Sequence, residues 1–211
     1  MRTHRLGAYC WLLATPLFLV ANVVTGLAWR HPPFSWATNN ISDLGNVTCG
    51  VWDTSRPREV CSPWHVAMNS AMIATGVLLA LGALLTWSAL GEGICARTAQ
   101  VLTLAGASGY LLAGLYPADV NENNHFLAAM LIFVLANAGM LVASLARRPS
   151  VLGSMRGISL TLGLAGVAGT ALFLTQADVG VGAGTLERLA AFPWLIWTVA
   201  IAVRLRGSAA G

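Results

Sequence analysis

Charge is scarce in this sequence, and one kind of it is missing. Only 9% of the 211 residues are Asp, Glu, Lys or Arg, against about 25% in soluble domains. There is no lysine; all twelve basic residues are arginine. No Lys/Arg-rich block accompanies the net charge of +4, so the basicity implies no nucleic-acid partner. Neither H-E-x-x-H nor C-x-x-C occurs, so no short motif announces a metal. Apolar and polar residues do not alternate within the apolar runs, which argues against a membrane β-barrel.

What is present is hydrophobic sequence, 56% of the chain. Six apolar runs stand out, at about 9–29, 64–90, 100–116, 125–145, 159–177 and 189–205. At 1.5 Å per residue each is long enough, as a helix, for a hydrocarbon core about 30 Å thick. The expected fold is all-α and integral to the membrane: one domain, 1–211, a six-helix bundle with a long loop over residues 30–63. The first run follows "MRTHR" and ends in "GLAWRHPP" with no A-x-A, so it reads as a retained helix rather than a cleaved signal peptide.

The arginines orient the bundle. With the N-terminus inside, Arg2, Arg5, Arg97, Arg147, Arg148, Arg156, Arg204 and Arg206 are cytoplasmic, and Arg30, Arg56, Arg58 and Arg188 are outside. That bias fits a multi-pass protein of the cytoplasmic membrane with both termini cytoplasmic. Seven of the eight acids also fall outside, although acids contribute little to insertion. The outer face is therefore expected to carry the chemistry. The first outer loop holds Cys49 and Cys61. A bridge between them suits an oxidising exterior and closes a loop worth roughly 3 kcal/mol in the chain-entropy model.

Small residues in "AGASGYLLAG" and "GLAGVAGTA" are expected to let helices approach closely. Trp11, Trp29, Trp64 and Trp87 lie near helix ends, as an interfacial belt requires. No Asp, Glu, Lys, Arg or His lies deep within a run, which disfavours a proton-coupled transporter. Asn22, Asn69 and Asn137 are the mid-span amides and read as interhelical glue.

Ionisable residues crowd the outer helix ends instead. Asp43, His65, Asp119, Glu122 and His125 are the candidate catalytic set, expected at one depth below the surface. Asn40, Ser42, Asn69, Tyr116 and Glu187 are candidate ligand-binding residues around them. Asp119 or Asn121 is suited to cap the fourth helix. Three readings of this constellation stay open. The groups cap helices and meet water. Or His65, His125 and Glu122 hold zinc or another divalent metal, since such sites take N and O ligands. Or the same residues perform metal-free acid–base chemistry or recognise a polar head group.

The stretch "NNISDLG", residues 39–45, has a local explanation. With Asn40 as N-cap, Asp43 sits three residues on and reaches back to the backbone N–H of Asn40, a variant capping box. Gly45 then supplies a left-handed helix end. The loop pattern Ser35, Asn40, Ile41, Ser42, Asp43, Leu44, Gly45, followed by Pro117, Asp119 and His125, resembles the uncharacterised prokaryotic six-helix membrane family called domain of unknown function 998. That resemblance spans nearly the whole chain. It implies the six-helix plan and a shared polar cluster at the outer face, and brings no established activity. The cysteine pair lies outside the pattern.

The leading functional expectation is a protein that binds or chemically processes a membrane lipid or other amphiphilic small molecule. The tail would lie among the Gly-rich helices, and the head would meet the five candidate catalytic residues, in one version through metal-bound water. The alternative is a non-enzymatic accessory protein whose loop docks on a membrane-protein partner through Trp36, Val51 and Trp52, aromatic as docking anchors tend to be. A small-molecule transporter is third.

Overall fold

Hydrocarbon offers no partner to a backbone N–H or C=O, so an apolar run placed in it folds as a helix that satisfies itself. The computed structural model, which describes residues 2–53 and 55–207, is built from such runs. In chain order they are α1 (Arg2–Ala28), α2 (His65–Leu90) and α3 (Ile94–Leu115). A fourth span, Glu122–Ala143, follows. It is assembled from α4 (Glu122–Met130), a π-helical segment (Leu131–Ala136) and α5 (Asn137–Ala143). After the short α6 (Val151–Ser154) come α7 (Arg156–Leu174) and α8 (Ala183–Gly207). These make six helices long and apolar enough to cross a membrane, and the protein is a multi-pass membrane protein with the expected six-helix plan. The long connection between α1 and α2 carries a 3-10 turn (Ser42–Gly45) and a hairpin of β1 (Gly50–Trp52) and β2 (Arg58–Val60). Its antiparallel register pairs Gly50 with Val60, Val51 with Glu59 and Trp52 with Arg58. Cys49 and Cys61 are joined, pinning the open end of that hairpin.

Several helix ends differ from expectation. α1 begins at Arg2 instead of Tyr9, α3 at Ile94 instead of Gln100, and α8 at Ala183 instead of Leu189. The added turns are polar or made of small residues, so hydropathy does not mark them. One consequence matters for the site: Glu187 and Arg188 lie inside α8 rather than ahead of it.

The six spans close into a ring in chain order. α1 packs on α2, α2 on α3, α3 on the π segment and α5, α5 on α7, α7 on α8, and α8 back on α1. Phe18, Tyr110 and Trp194 fill the middle; Phe18 meets the Tyr110 ring edge-on at 5.0 Å and Trp194 stacks on it at 5.9 Å. The small residues do hold backbones close. A Cβ on Gly109 would meet the Ala128 carbonyl at 2.7 Å, and one on Gly166 would strike Asn137. At these two positions a neighbouring group occupies the space beside the glycine.

Of the three mid-span amides, only Asn137 ties helices together. It donates to Phe133 O at 2.7 Å, Thr170 Oγ1 at 3.2 Å and Ala190 O at 2.9 Å, joining the fourth span to α7 and α8. The π turn supplies the Phe133 carbonyl for this, as such bulges often do at special sites. Asn22 donates within its own helix, to Phe18 O, and Asn69 binds the long loop. The tryptophans also divide. Trp64 is half exposed and Trp87 lies under Arg97 at 5.6 Å. Trp11 and Trp29 are buried. Trp11 enters a slot left by Gly82 and donates to Leu79 O at 2.9 Å, so it is a core residue and not part of a belt.

Candidate functional site

The long loop folds down on the helix ends and is held by four polar anchors, the first knotting the loop to itself and the other three tying it to the rest of the bundle. The first is Asp43, 1% exposed. Its Oδ2 accepts from Asn40 N (2.9 Å), Asn39 Nδ2 (3.2 Å) and Arg58 Nε (2.7 Å), and its Oδ1 from Arg58 Nη2 (2.6 Å). The reach-back to Asn40 predicted from "NNISDLG" is present, but the helix it starts is only the 3-10 turn. Asn40 makes no cap with its side chain, which instead accepts from Arg56 Nη2 at 2.9 Å. Nor is Gly45 left-handed; the residue that follows the turn, Asn46, is extended at φ −64°. Gly45 is required for closeness: a Cβ there would collide with Asn69 Oδ1, whose amide donates to Gly45 O at 2.8 Å, the second anchor.

The third anchor is Asp119, whose Oδ2 accepts from Val47 N (2.8 Å), Thr48 N (2.7 Å) and Thr48 Oγ1 (2.8 Å). Partial burial pushes its carboxyl upward, but the bonds from Thr48 and Val47 outweigh this and hold it below the ordinary carboxylate value. The fourth is the pair Glu187 and Arg188 on α8. Glu187 accepts from the backbone of Ile41. Arg188 donates to Trp36 O (2.9 Å) and Asn39 O (3.0 Å) and covers the Trp36 ring at 5.3 Å. In the hairpin, Asp53 turns the chain at φ +73°, a conformation Asp tolerates. Its Oδ1 accepts from Ser55 Oγ (2.7 Å) and Ser55 N (3.0 Å), and the Ser55 hydroxyl leads the interactions that keep its carboxyl below the usual value. Burial works against the Arg58 guanidinium, yet its bonds to Asp43 prevail and leave it more basic than usual.

Two cavities lie beside this anchored loop. One is a small chamber of about 40 Å³ inside the ring, room for a water or two. Ser42, Tyr110, His125 and Glu187 supply its polar atoms, and Ile41 is part of its roof. His125 donates from Nδ1 to Tyr116 O at 2.8 Å, which sets the ring's orientation. The Tyr110 hydroxyl is buried with no hydrogen-bond partner among the described residues. The other cavity is a groove of about 760 Å³. One wall is the hairpin, with Asp53, Ser55, Arg56 and Arg58; the other is apolar, with Phe126, Phe173, Leu174 and Leu186. Phe126 and Leu174 are exposed on the flank of the bundle. Gln176 Nε2 spans the mouth toward Ser55 Oγ at 3.5 Å. The two cavities share a wall: Asn40, Phe126 and Leu186 line the groove while their neighbours Ile41, His125 and Glu187 line the chamber.

The expected single cluster is therefore divided. Ser42, His125 and Glu187 do meet around the chamber, and Asn40 lies on the groove. Asp43 and Asp119 hold the loop. His65 contacts Ser62 O at 3.0 Å from Nδ1, Tyr116 offers its carbonyl to His125, and Glu122 is exposed in the first turn of α4, capped by Asn121. Among the described residues no three His, Cys, Asp or Glu side chains are grouped to hold a metal ion, so His65, His125 and Glu122 are not gathered into the metal site considered for them. Tyr110, Arg56 and Arg58 were missed. Tyr110 had a visible signal, a phenol in the middle of an otherwise apolar span. The arginines had none, because their importance comes from what the folded loop puts beside them.

No curated protein and no solved structure matches the chain. The model of the family described as "Protein of unknown function (DUF998)" matches residues 12–204. That match takes in all but the two ends, the loop with its Asp43–Arg58 pair and both cavities, and the chain belongs to that family.

Proposed function

We propose that this protein binds a lipid or similar amphiphile in the groove, with the loop end of the bundle on the extracytoplasmic side. One observation carries the reading: a single cleft joins a charged, hydrogen-bonding wall to an apolar wall that continues onto the bundle's flank. A polar solute makes no use of Phe126, Phe173 and Leu174, and a hydrocarbon makes none of Asp53, Ser55 and Arg56. An amphiphile uses both, with its head at the hairpin and its tail leaving between α4 and α7. Pockets for small molecules commonly have this composition, mostly apolar with a few placed polar groups. The arginine bias and the disulfide support the orientation.

Binding is favoured over chemical processing. Asp43 and Asp119 are occupied as loop anchors, and the chamber holding His125 and Glu187 is too small for a substrate unless Ile41 and Ser42 lift away. Of the anchors considered for docking on a partner protein, Val51 is 72% and Trp36 38% exposed, although Trp36 also contacts Phe34 and Arg188, while Trp52 is packed against the core; the loop's packing on its own helices favours the groove over that reading. Native mass spectrometry of the detergent-purified protein tests the reading. Phe126→Ala removes a ring that is 59% exposed without placing a charge in the fourth span, and bound lipid is expected to fall several-fold. Retention equal to the parent protein's sinks the proposal.

A further inference from the structure

The groove's polar wall is specific enough to say which head group it suits. Arg56 is half-buried, and its Nη1 is shielded from solvent with no hydrogen-bond partner among the described residues. Its one side-chain bond goes to a neutral group, Asn40 Oδ1, at 2.9 Å. Arg58 beside it is different, with carboxylate oxygens of Asp43 at 2.6 Å and Asp53 at 3.3 Å. A guanidinium removed from water without a bonded anion is costly, and burial shows in the lowered basicity of Arg56. An anionic group in the groove would offset that cost. A phosphate is the natural match for the planar fork of an arginine.

A purely anionic head fits the surrounding charges less well. The two guanidiniums of Arg56 and Arg58 are equalled in number by the carboxylates of Asp43 and Asp53, both of which bond Arg58, and Asp178 stands on the groove as a further carboxylate. One Asp178 oxygen accepts from Gly180 N at 3.1 Å. A ligand that brings a phosphate alone adds negative charge to a site already balanced or acidic. A ligand that brings a phosphate and an ammonium satisfies both ends.

Building on the amphiphile reading above, we propose that the groove binds the zwitterionic head of an aminophospholipid, its phosphate on Arg56 and its primary ammonium on Asp178, with the acyl chains against Phe126 and Leu174. Arg56 reaches the phosphate by swinging its guanidinium off Asn40, a single neutral hydrogen bond, whereas Arg58 stays locked to Asp43.

The test uses the full chain in detergent, stripped of lipid and titrated with amphiphiles of identical chains. The heads are phosphoethanolamine, phosphoglycerol and an uncharged sugar, with inorganic phosphate as a separate arm. The phosphoethanolamine lipid is expected to bind most tightly. Arg56→Gln should weaken both phospholipids about tenfold or more, the loss of a charge-assisted hydrogen bond, and leave the sugar amphiphile unchanged. Asp178→Asn should remove the preference for phosphoethanolamine over phosphoglycerol. Thermal unfolding of each variant, together with the sugar amphiphile, separates a lost contact from lost folding. Equal binding of all three heads, or an Arg56→Gln protein with parental phospholipid affinity, overturns the head-group assignment while leaving the amphiphile reading standing. Inorganic phosphate that binds as tightly as the phospholipid overturns the lipid source. If no amphiphile binds, the reading beneath it falls as well.

Discussion

Asp43 shows at residue scale how a carboxylate that looks catalytic can be used for structure. It is almost wholly buried, and both its oxygens are taken by Arg58, Asn39 and Asn40. Removing one partner from a buried ion pair costs about 3–5 kcal/mol, and Asp53, 3.3 Å from Arg58, keeps only part of that charge compensated. Asp43→Asn is therefore expected to lower thermal stability in detergent by that order, while Glu122→Gln, at an exposed position, leaves it nearly unchanged. A loss below about 1 kcal/mol for Asp43→Asn would mean that Arg58 finds another partner and that Asp43 is not the knot of the loop. The excess of acids at the loop end has its explanation here: Asp43, Asp53, Asp119 and Glu187 each bind loop backbone or loop arginine.

At element scale the long loop behaves as a lid fastened at separate points, and one fastening is sensitive to acid. Hydrogen bonds from Thr48 and Val47 hold the Asp119 carboxyl below its ordinary value despite partial burial. A carboxyl depressed on folding stabilises the folded state above its unfolded value and loses that contribution as pH falls through the folded one. The stability advantage of the parent protein over Asp119→Asn should thus be present at neutral pH and disappear as pH drops below the ordinary carboxylate range. Melting curves in detergent at a series of pH values check this, and an advantage that persists or grows in acid contradicts it. The same element marks where sequence reading stopped. "NNISDLG" revealed the bond between Asp43 and Asn40, because that contact spans three residues. It did not reveal Arg58, Glu187 or Asn69, which arrive from the hairpin, α8 and α2. The left-handed role expected for Gly45 failed for the same reason: the glycine is there to admit Asn69.

At the scale of the whole molecule the spans form a ring, which places the two cavities and both α1 and α8 in fixed relation to the loop. The orientation proposed for that ring has a direct test. A fluorescent protein fused after residue 211 should fluoresce, as it does only in the cytoplasm, and the same fusion after residue 62 should be dark; the opposite pattern would turn the loop to the inside. Much of this architecture was determined by the sequence alone. Long uncharged runs have one self-satisfying conformation in hydrocarbon, so six helices follow from hydropathy and their approximate limits with them, and two cysteines twelve residues apart in one loop follow as a pair. The partnering of groups far apart in the chain was decided only by tertiary structure: Trp11 with Leu79, Asn137 with Ala190, Asp43 with Arg58, and the division of polar residues between chamber and groove. The physical reason is range. Hydropathy and capping act over a helix length or a single turn, whereas a site is made by contacts between surfaces whose meeting depends on how every helix packs.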